Sequence, residues 1–401
     1  MKLKRLTLEN FRGFEHLEIE FHPQLTVLVG VNGSGKTSVL EALIVMLNKA
    51  SSDAEMHLGR QWIPAAQRLG TRSFRLDLRL GHDDDEVSFV LDPSVAIDRA
   101  PRTKAATMLR TTAVCAYSVR RDVARPFHDT ENLRRRDRSP LSDLNIGLSP
   151  AAEQWLSVSD FSDFFEWFLD QEDIENERRL DDPQYRDPRL EATRNAIEQL
   201  IPGYSSLRVR RARSSSGPRL TLKKNDQELD FTQLSEGERT LTALGGDIAR
   251  RTASGQSTTE READRGVVII DEIDLHLHPQ WQANVLPALL RTFPDIQFVV
   301  TTHSPIVLSH VDSECVRLLR DFQLVPVPPT HGRDPNSVLS EVFEVPLRPA
   351  KTQALLDRIA ALIDQEQLEQ AKAEIHRLGQ DLGQRDLEVT RLRGLVELME
   401  V

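Results

Sequence analysis

The chain has little cysteine: Cys115 and Cys315 are its only two, far apart and without a CxxC partner. That excludes a disulfide framework and a cysteine-ligated zinc site. It also lacks any run of about 18 apolar residues, which excludes a membrane-spanning helix. The opening Met1-Lys2-Leu3-Lys4-Arg5-Leu6-Thr7-Leu8 is interrupted at once by polar residues. It does not read as a signal peptide, so the cytoplasm is the expected location. Positive charge is not in excess either, since the formal net charge is -11. The surface as a whole therefore lacks the basic footprint usual in duplex binding. Two local exceptions are Arg134, Arg135, Arg136 and Arg138, and Arg208, Arg210, Arg211 and Arg213. Their plain reading is a solvated loop and the solvated face of a strand.

With 39% apolar and 28% charged residues, the composition is that of an ordinary globular protein. Alternation at Leu6 and Leu8, at Leu17, Ile19 and Phe21, and at Phe74, Leu76 and Leu78 predicts strands. An acidic turn, Asp83 to Glu86, precedes another strand at Val87 to Leu91, and Thr111 to Tyr117 is a further candidate. Leu25-Thr26-Val27-Leu28-Val29 reads as a buried strand, and Ser38 to Leu47 as the helix after it. Asp122 to Pro150 reads as loops with a short helix, and Phe161 to Leu180 as a helix with an aromatic, core-packing stripe. Leu190 to Ile201 follows as a helix, then a hairpin of Leu207–Val209 and Leu220–Leu222 turning at Ser214-Ser215-Ser216-Gly217. Ala253 to Arg265 is polar and expected to be mobile. Strands at Val267 to Ile270 and Gln297 to Thr301 alternate with helices near Trp281 to Phe293 and from Pro305. That order implies a parallel sheet with helices against it. From Pro349 onward, apolar stripes at Leu355, Ile359 and Leu362, at Leu368, Ala371, Ile375, Leu378 and Leu382, and at Val389, Leu392, Val396 and Met399 predict amphipathic helices. These stripes are expected to pack on the body or on a partner. No internal repeat is present.

Gly30-Val31-Asn32-Gly33-Ser34-Gly35-Lys36-Thr37 fits G-x-x-x-x-G-K-[ST]. Its glycines let backbone N–H groups close around phosphate, and the helix that follows adds its positive end. A chance match in a chain this long is on the order of one in a hundred, before the flanking strand and helix are counted. The motif assigns Asn32, Gly33, Ser34, Gly35, Lys36, Thr37 and Ser38 to nucleotide binding. Lys36 is the phosphate cation, and the Thr37 hydroxyl is a magnesium ligand. Val267-Val268-Ile269-Ile270-Asp271-Glu272 is an apolar strand ending in two carboxylates. Asp271 is expected to hold magnesium, directly or through water, and Glu272 to polarise the attacking water.

Leu234-Ser235-Glu236-Gly237-Glu238 resembles the ABC signature, in the form found in SMC- and RecF-like ATPases. Thr301-Thr302-His303-Ser304-Pro305 resembles their switch histidine, and Asn10-Phe11-Arg12-Gly13-Phe14 their N-terminal element. Five elements in this order cover residues 1 to about 310. Asp271 to Gln280, DEIDLHLHPQ, is similar to single-chain bacterial ATPases near OLD, RecF and Septu. Arg333 to Leu339, Arg348-Pro349 and Phe164-Phe165-Glu166-Trp167-Phe168 look like the Septu antiphage branch. The resemblance implies that His303 contacts the γ-phosphate and that Arg12 lies near the nucleotide. It also implies that Ser235, Gly237 and Glu238 meet the phosphate of a second chain. Three departures matter. No Q-loop glutamine follows the Thr111–Tyr117 strand, where Arg120-Arg121 stands, so the coupling between lobes is left open. There are no long heptad arms of a structural SMC protein. The tail has neither a Toprim acidic cluster nor an HNH pattern. His276, His278 and His303 also suggest zinc, but each already has a place in the ATPase reading.

The resemblance implies an α/β protein: an ABC-ATPase (P-loop) head with mixed sheet and helices, an inserted mainly helical lobe, and a helical C-terminal tail. The expected divisions are 1–120, the first part of the ATPase lobe; 121–250, the helical lobe with the signature; 251–345, the second part of the ATPase lobe; and 346–401, the tail. Expected cofactors are ATP and Mg2+. Expected partners are a second copy, head to tail, or a larger homo-oligomer, a separate HNH-type nuclease, and DNA or another nucleic acid. The leading expectation is the ATPase of an antiphage system. The alternatives are a RecF-like repair factor that clamps DNA and an assembly module for which ATP binding alone matters.

Overall fold

A computed structural model describes residues 1–51, 66–82, 85–94, 99–110, 112–118, 162–211, 218–253 and 266–399. Arg134–Arg136, Arg138, Arg213, Arg120-Arg121, Asp122 to Pro150, the Ser214–Gly217 turn and residues 254–265 lie outside them. The chain divides into two compact units, Met1–Val338 and Leu339–Val401.

Among the described residues, three sheets build the first unit. β1 (Lys2–Phe11) pairs antiparallel with β2 (Phe14–Glu20) and with β4 (Arg75–His82), which pairs antiparallel with β5 (Asp85–Leu91). Alternation decides which face is buried: Leu6, Leu8, Ile19, Leu76 and Leu78 are inside while their neighbours are not. The central sheet also contains β3 (Leu25–Val29), β6 (Ala113–Tyr117), β10 (Gly266–Ile270), β11 (Ile296–Thr302), β12 (Val316–Arg320) and β13 (Gln323–Val325). Its order is β13-β12-β3-β11-β10-β6, parallel throughout except for antiparallel β13 at one edge. Every residue of β3, β10 and β11 is buried, as strands covered on both faces require. The antiparallel edge strand was not foreseen from the βα alternation.

Helix α1 (Lys36–Ser51) follows β3 directly. Its Val39, Leu43, Met46 and Leu47 share one core with β1, β4 and β5 and with Leu28, Val267, Ile269 and Val299 of the central sheet. Helix α2 (Arg99–Arg110), also unforeseen, adds Ala105 and Leu109 to that core. The two sheets are tied by a buried glutamine. Gln297 on β11 accepts from Leu3 N at 2.7 Å and donates to the carbonyls of Leu3 and His22 at 3.0 Å each.

Between β6 and β10 the described chain forms α3 (Ser162–Asp181), α4 (Pro188–Leu200), a small sheet of β7 (Tyr204–Arg211), β8 (Pro218–Lys224) and β9 (Gln227–Asp230), and α5 (Glu236–Ala253). The aromatic stripe is core: Phe164, Phe165 and Phe168 are buried, and Phe165 stacks edge-on against Phe231 at 5.0 Å. A Cβ on Gly246 of α5 would stand 2.3 Å from the Phe164 ring, so α5 approaches α3 only with glycine there. The three described arginines of the second group are ion-paired. Arg208 and Arg210 pair with Glu228 at 3.3 and 2.6 Å, and Arg211 pairs with Glu172 at 3.2 Å and with Asp173.

Beyond β10 come α6 (Pro279–Thr292), the single turn α7 (Pro305–Leu308) and α8 (Pro335–Val342). The second unit holds α9 (Ala350–Asp364), α10 (Leu368–Leu382) and α11 (Leu387–Met399). The apolar stripes of the three helices close on one another. Ile359, Ile363, Ala371, Ile375, Leu378, Val389, Leu392 and Val396 form one core. Gly383 ends α10 with a φ of 98°, a left-handed turn that glycine takes without strain.

Candidate active site

β3 delivers the chain from the buried sheet into the glycine-rich loop, and α1 begins at Lys36. Its first turn points backbone N–H groups back at the loop, a ready anion site. At Gly35 (φ 101°) an added Cβ would lie 2.4 Å from the Phe14 ring, so only glycine lets the loop pass. Gly33 has a φ of 83° with open space around it, and Asn32 is exposed beside it. The Ser34 hydroxyl is buried and has no hydrogen-bond partner among the described residues. A buried polar atom left unpaired costs free energy, so it suits a ligand oxygen. Lys36 Nζ donates to the Gly30 and Val31 carbonyls at 2.9 and 3.1 Å. Burial lowers its pKa, opposed by the nearby charges of Glu272, Asp271 and Asp274.

The acids at the end of β10 come to the same place. Thr37 Oγ1 donates to Asp271 Oδ2 at 3.3 Å, which brings two hard oxygens together as magnesium prefers. Thr301 Oγ1, from the end of β11, donates to the other Asp271 oxygen at 2.6 Å and accepts Glu272 N at 2.7 Å. Glu272 has a φ of 50°, a sparsely populated conformation for a side-chain-bearing residue, and that amide bond helps to hold it. His303 Nε2 stands 3.5 Å from Glu272 Oε1. Burial and then the Lys36 charge lower the His303 pKa, and the three carboxylates oppose this. Asp274 accepts from Thr302 Oγ1 and, at 3.4 Å, from His303 N, which fixes the strand end that presents the imidazole. Ser304 caps α7 and donates to Gln282 at 2.8 Å. Lys36, Thr37, Asp271, Glu272 and His303 therefore form one cluster.

Arg12 lies beside that cluster. It donates to Ser38 Oγ at 3.1 Å and pairs with Glu41, both on the first turns of α1. Its own φ is 51°. Ser235, Gly237 and Glu238 have other partners. Ser235 caps α5 in a reciprocal box: its N donates to Glu238 Oε2 at 2.9 Å, and Glu238 N returns to Ser235 Oγ at 3.4 Å. Tyr204 OH and Lys224 Nζ also donate to Glu238, at 2.6 and 3.0 Å. Burial works against its charge, but these bonds from Tyr204, Ser235 and Lys224 outweigh it and pull the pKa down to about 2. A Cβ on Gly237 would come 3.1 Å from the His276 carbonyl. Among the described residues, no hydrogen bond or ion pair joins these three to residues 30–38. His276 pairs with Glu236 at 3.3 Å and His278 caps α6. Among the described residues, no three metal-ligating side chains of the His, Cys, Asp or Glu type gather.

Thr301, Thr302 and Asp274 were not singled out as site residues by sequence reasoning. The available signal was a buried apolar strand ending in two threonines. The Q-loop position, just past Tyr117, falls outside the described residues.

Residues 25–309 match the family model described as "AAA domain, putative AbiEii toxin, Type IV TA system". The chain is 29% identical to the "Retron Ec83 probable ATPase" of Escherichia coli, over 96% of this chain and 84% of that one. It is 25% identical to the "Septu protein PtuA" of Bacillus thuringiensis, over 76% of this chain and 72% of that one. Among solved structures it is similar to the SMC head domain from Thermotoga maritima. That match has 16% identity and a TM-score of 0.46, and covers 82% of this chain and 100% of that one. No helix among the described residues is long and apolar enough to cross a membrane.

Proposed function

The chain belongs to the AAA-domain family described with the AbiEii toxin and is an ATPase, and from that premise we propose that two copies close head to tail around ATP and magnesium. One observation carries the reading. The phosphate loop and the acids cluster within one chain, while Ser235 and Gly237 sit at the start of α5 and, among the described residues, make no hydrogen bond or ion pair to that cluster. Such a helix start suits a γ-phosphate presented by another chain.

In that assembly the loop amides, the Ser34 hydroxyl and Lys36 bind the phosphates. Thr37 and Asp271 would hold magnesium, which would supply charge neutralisation on the phosphate oxygens. Thr301 holds Asp271 and Glu272 in place, and Glu272 orients water and takes its proton. His303, whose pKa burial and the Lys36 charge lower, contacts the γ-phosphate. Ser235, Gly237 and Glu238 of the second copy close the site, and Arg12 stands beside it. Catalysis is mostly positioning and charge stabilisation.

The wider role proposed is the ATPase component of an antiphage system, acting with a separate HNH-type nuclease and with DNA or another nucleic acid. Similarity to a retron ATPase and to a Septu protein over most of the chain supports this. The ion-paired Arg208, Arg210 and Arg211 lessen the case for a DNA clamp of the RecF kind. An HNH protein encoded beside this gene that fails to co-purify with the chain would count against the nuclease partner.

Mixing tests the shared site. Lys36→Ala and Ser235→Arg proteins are each inactive alone, because both sites of each homodimer are broken. In a mixed dimer both lesions fall in one site and the other is intact. With equal mixing and independent sites, about a quarter of wild-type sites return. No recovery of ATPase or bound ATP, while native mass spectrometry shows mixed dimers, refutes it.

A further inference from the structure

Tyr117 is the last residue of β6 and lies opposite Ile270, the residue before Asp271. Its carbonyl accepts the Asp271 amide at 2.8 Å, one step beyond the strand ladder. Its side chain is buried, and the hydroxyl donates at 3.0 Å to Asp247, 130 residues away. Asp247 is equally buried, on α5, the helix whose first turn carries Gly237 and Glu238. The Asp247 carboxylate accepts from Arg250 at 2.6 and 3.0 Å and from Arg251 at 2.7 Å. Burial and the Asp247 charge push the Tyr117 pKa up, so the phenol stays protonated and donates.

A buried charge costs several kcal/mol unless it is fully bonded. The tyrosine, carboxylate and two guanidiniums satisfy one another, and that makes the arrangement directional. An apolar contact tolerates sliding; this one is lost when α5 moves relative to β6. Helix α5 has 18 residues, about 27 Å at 1.5 Å per residue, and is continuous from Glu236 to Ala253. A displacement at Asp247 therefore reaches the Ser235 cap.

We propose that Tyr117 is a positioning residue that couples the ATP site to the signature helix, its backbone holding Asp271 and its hydroxyl holding Asp247. This rests on the shared-site reading above. The magnesium ligand and the surface offered to the partner copy are then set by one residue. The chain would tie binding of nucleotide in its own loop to presentation of Ser235 to the other copy. Coupling of this kind is reciprocal, so closure on the partner also tightens the geometry around Asp271.

Tyr117→Phe removes one oxygen. It keeps the ring packing and leaves Asp247 its two arginines, so the fold is retained. The full chain and the variant are compared for ATP affinity and stoichiometry, ATP-driven dimerisation by analytical ultracentrifugation, and steady-state ATPase. The variant is expected to bind one ATP per chain with an affinity within about twofold of wild type. Its dimerisation midpoint rises about tenfold, in the range for loss of one hydrogen bond to a charged group. A second measurement is independent of dimerisation. In Ser235→Arg protein, ATP changes amide exchange across residues 236–242, and adding Tyr117→Phe abolishes most of that change. A merely structural role lowers thermal stability and ATP stoichiometry together and leaves the exchange response of the folded fraction intact; that result overturns the proposal. So does an unchanged dimerisation midpoint in a wild type that dimerises. A wild type that stays monomeric with ATP removes the shared-site reading, and the coupling with it.

Discussion

Replacing Glu272 with glutamine keeps the size of the side chain and removes its charge and its basicity. The backbone of the site is expected to survive, because Glu272 N would still donate to Thr301 Oγ1. Asp271 keeps its bonds from Thr37 and Thr301. Lys36 loses one of three carboxylates that oppose its burial but keeps Asp271 and Asp274. ATP binding is therefore expected within about threefold of wild type. Hydrolysis depends on a group that accepts a proton, and general-base assistance is worth roughly 10²–10⁴-fold. That corresponds to about 3–5 kcal/mol on the barrier. The amide also ends the favourable approach of a carboxylate to His303, 3.5 Å away. Single-turnover hydrolysis of radiolabelled ATP at saturating protein isolates the chemical step, and filter binding reports affinity. The expected result is trapped, unhydrolysed ATP in a long-lived dimer. Turnover within about threefold of wild type, with affinity unchanged, refutes Glu272 as the base.

Gln297→Leu leaves the Leu3 amide and the carbonyls of Leu3 and His22 without their partner; at about 1–3 kcal/mol for each buried group, a loss of about 3 kcal/mol or more in chemical denaturation is expected. Glu238 has a folded pKa of about 2 against an ordinary 4.5, so its stabilisation is full above pH 4.5 and is lost as pH falls from there towards 2. In Glu238→Gln the unfolding free energy is expected to lose that share of its pH dependence, and an unchanged acid limb would show the bonds to Tyr204 and Lys224 to be weak. Deleting residues 350–401 removes α9 to α11, whose core residues all come from those helices. ATP binding by the shortened chain is expected to match wild type in isothermal titration, and loss of binding would place the tail in the ATPase body.

The sequence alone was enough for features that a local pattern sets. The phosphate loop is legible because its glycines, Lys36 and Thr37 are consecutive, and no distant partner is needed to recognise a backbone cradle. β3, β10 and β11 are legible because strands buried on both faces must be apolar throughout. The tail stripes are legible from helical periodicity, although periodicity could not say that they would close on one another. Helix α2 was missed because its Arg-Ala-Pro-Arg-Thr-Lys opening shows no apolar period in the sequence.

What only the tertiary structure decided are the pairings across long stretches of chain. Thr301 meets Asp271 because β10 and β11 run parallel with Ile270 opposite Val300, so the next residue of each chain lies side by side. Arg211 lost its status as a basic patch when α3 brought Glu172 and Asp173 alongside. Tyr117 and Asp247 read separately as a strand end and a helix interior, and their bond exists only once β6 packs near α5. A side chain's periodicity is fixed by its neighbours in the chain, but its hydrogen-bond partner is fixed by which elements share a core. That is why the motifs were visible in the sequence, whereas the contacts that hold them in working geometry were not.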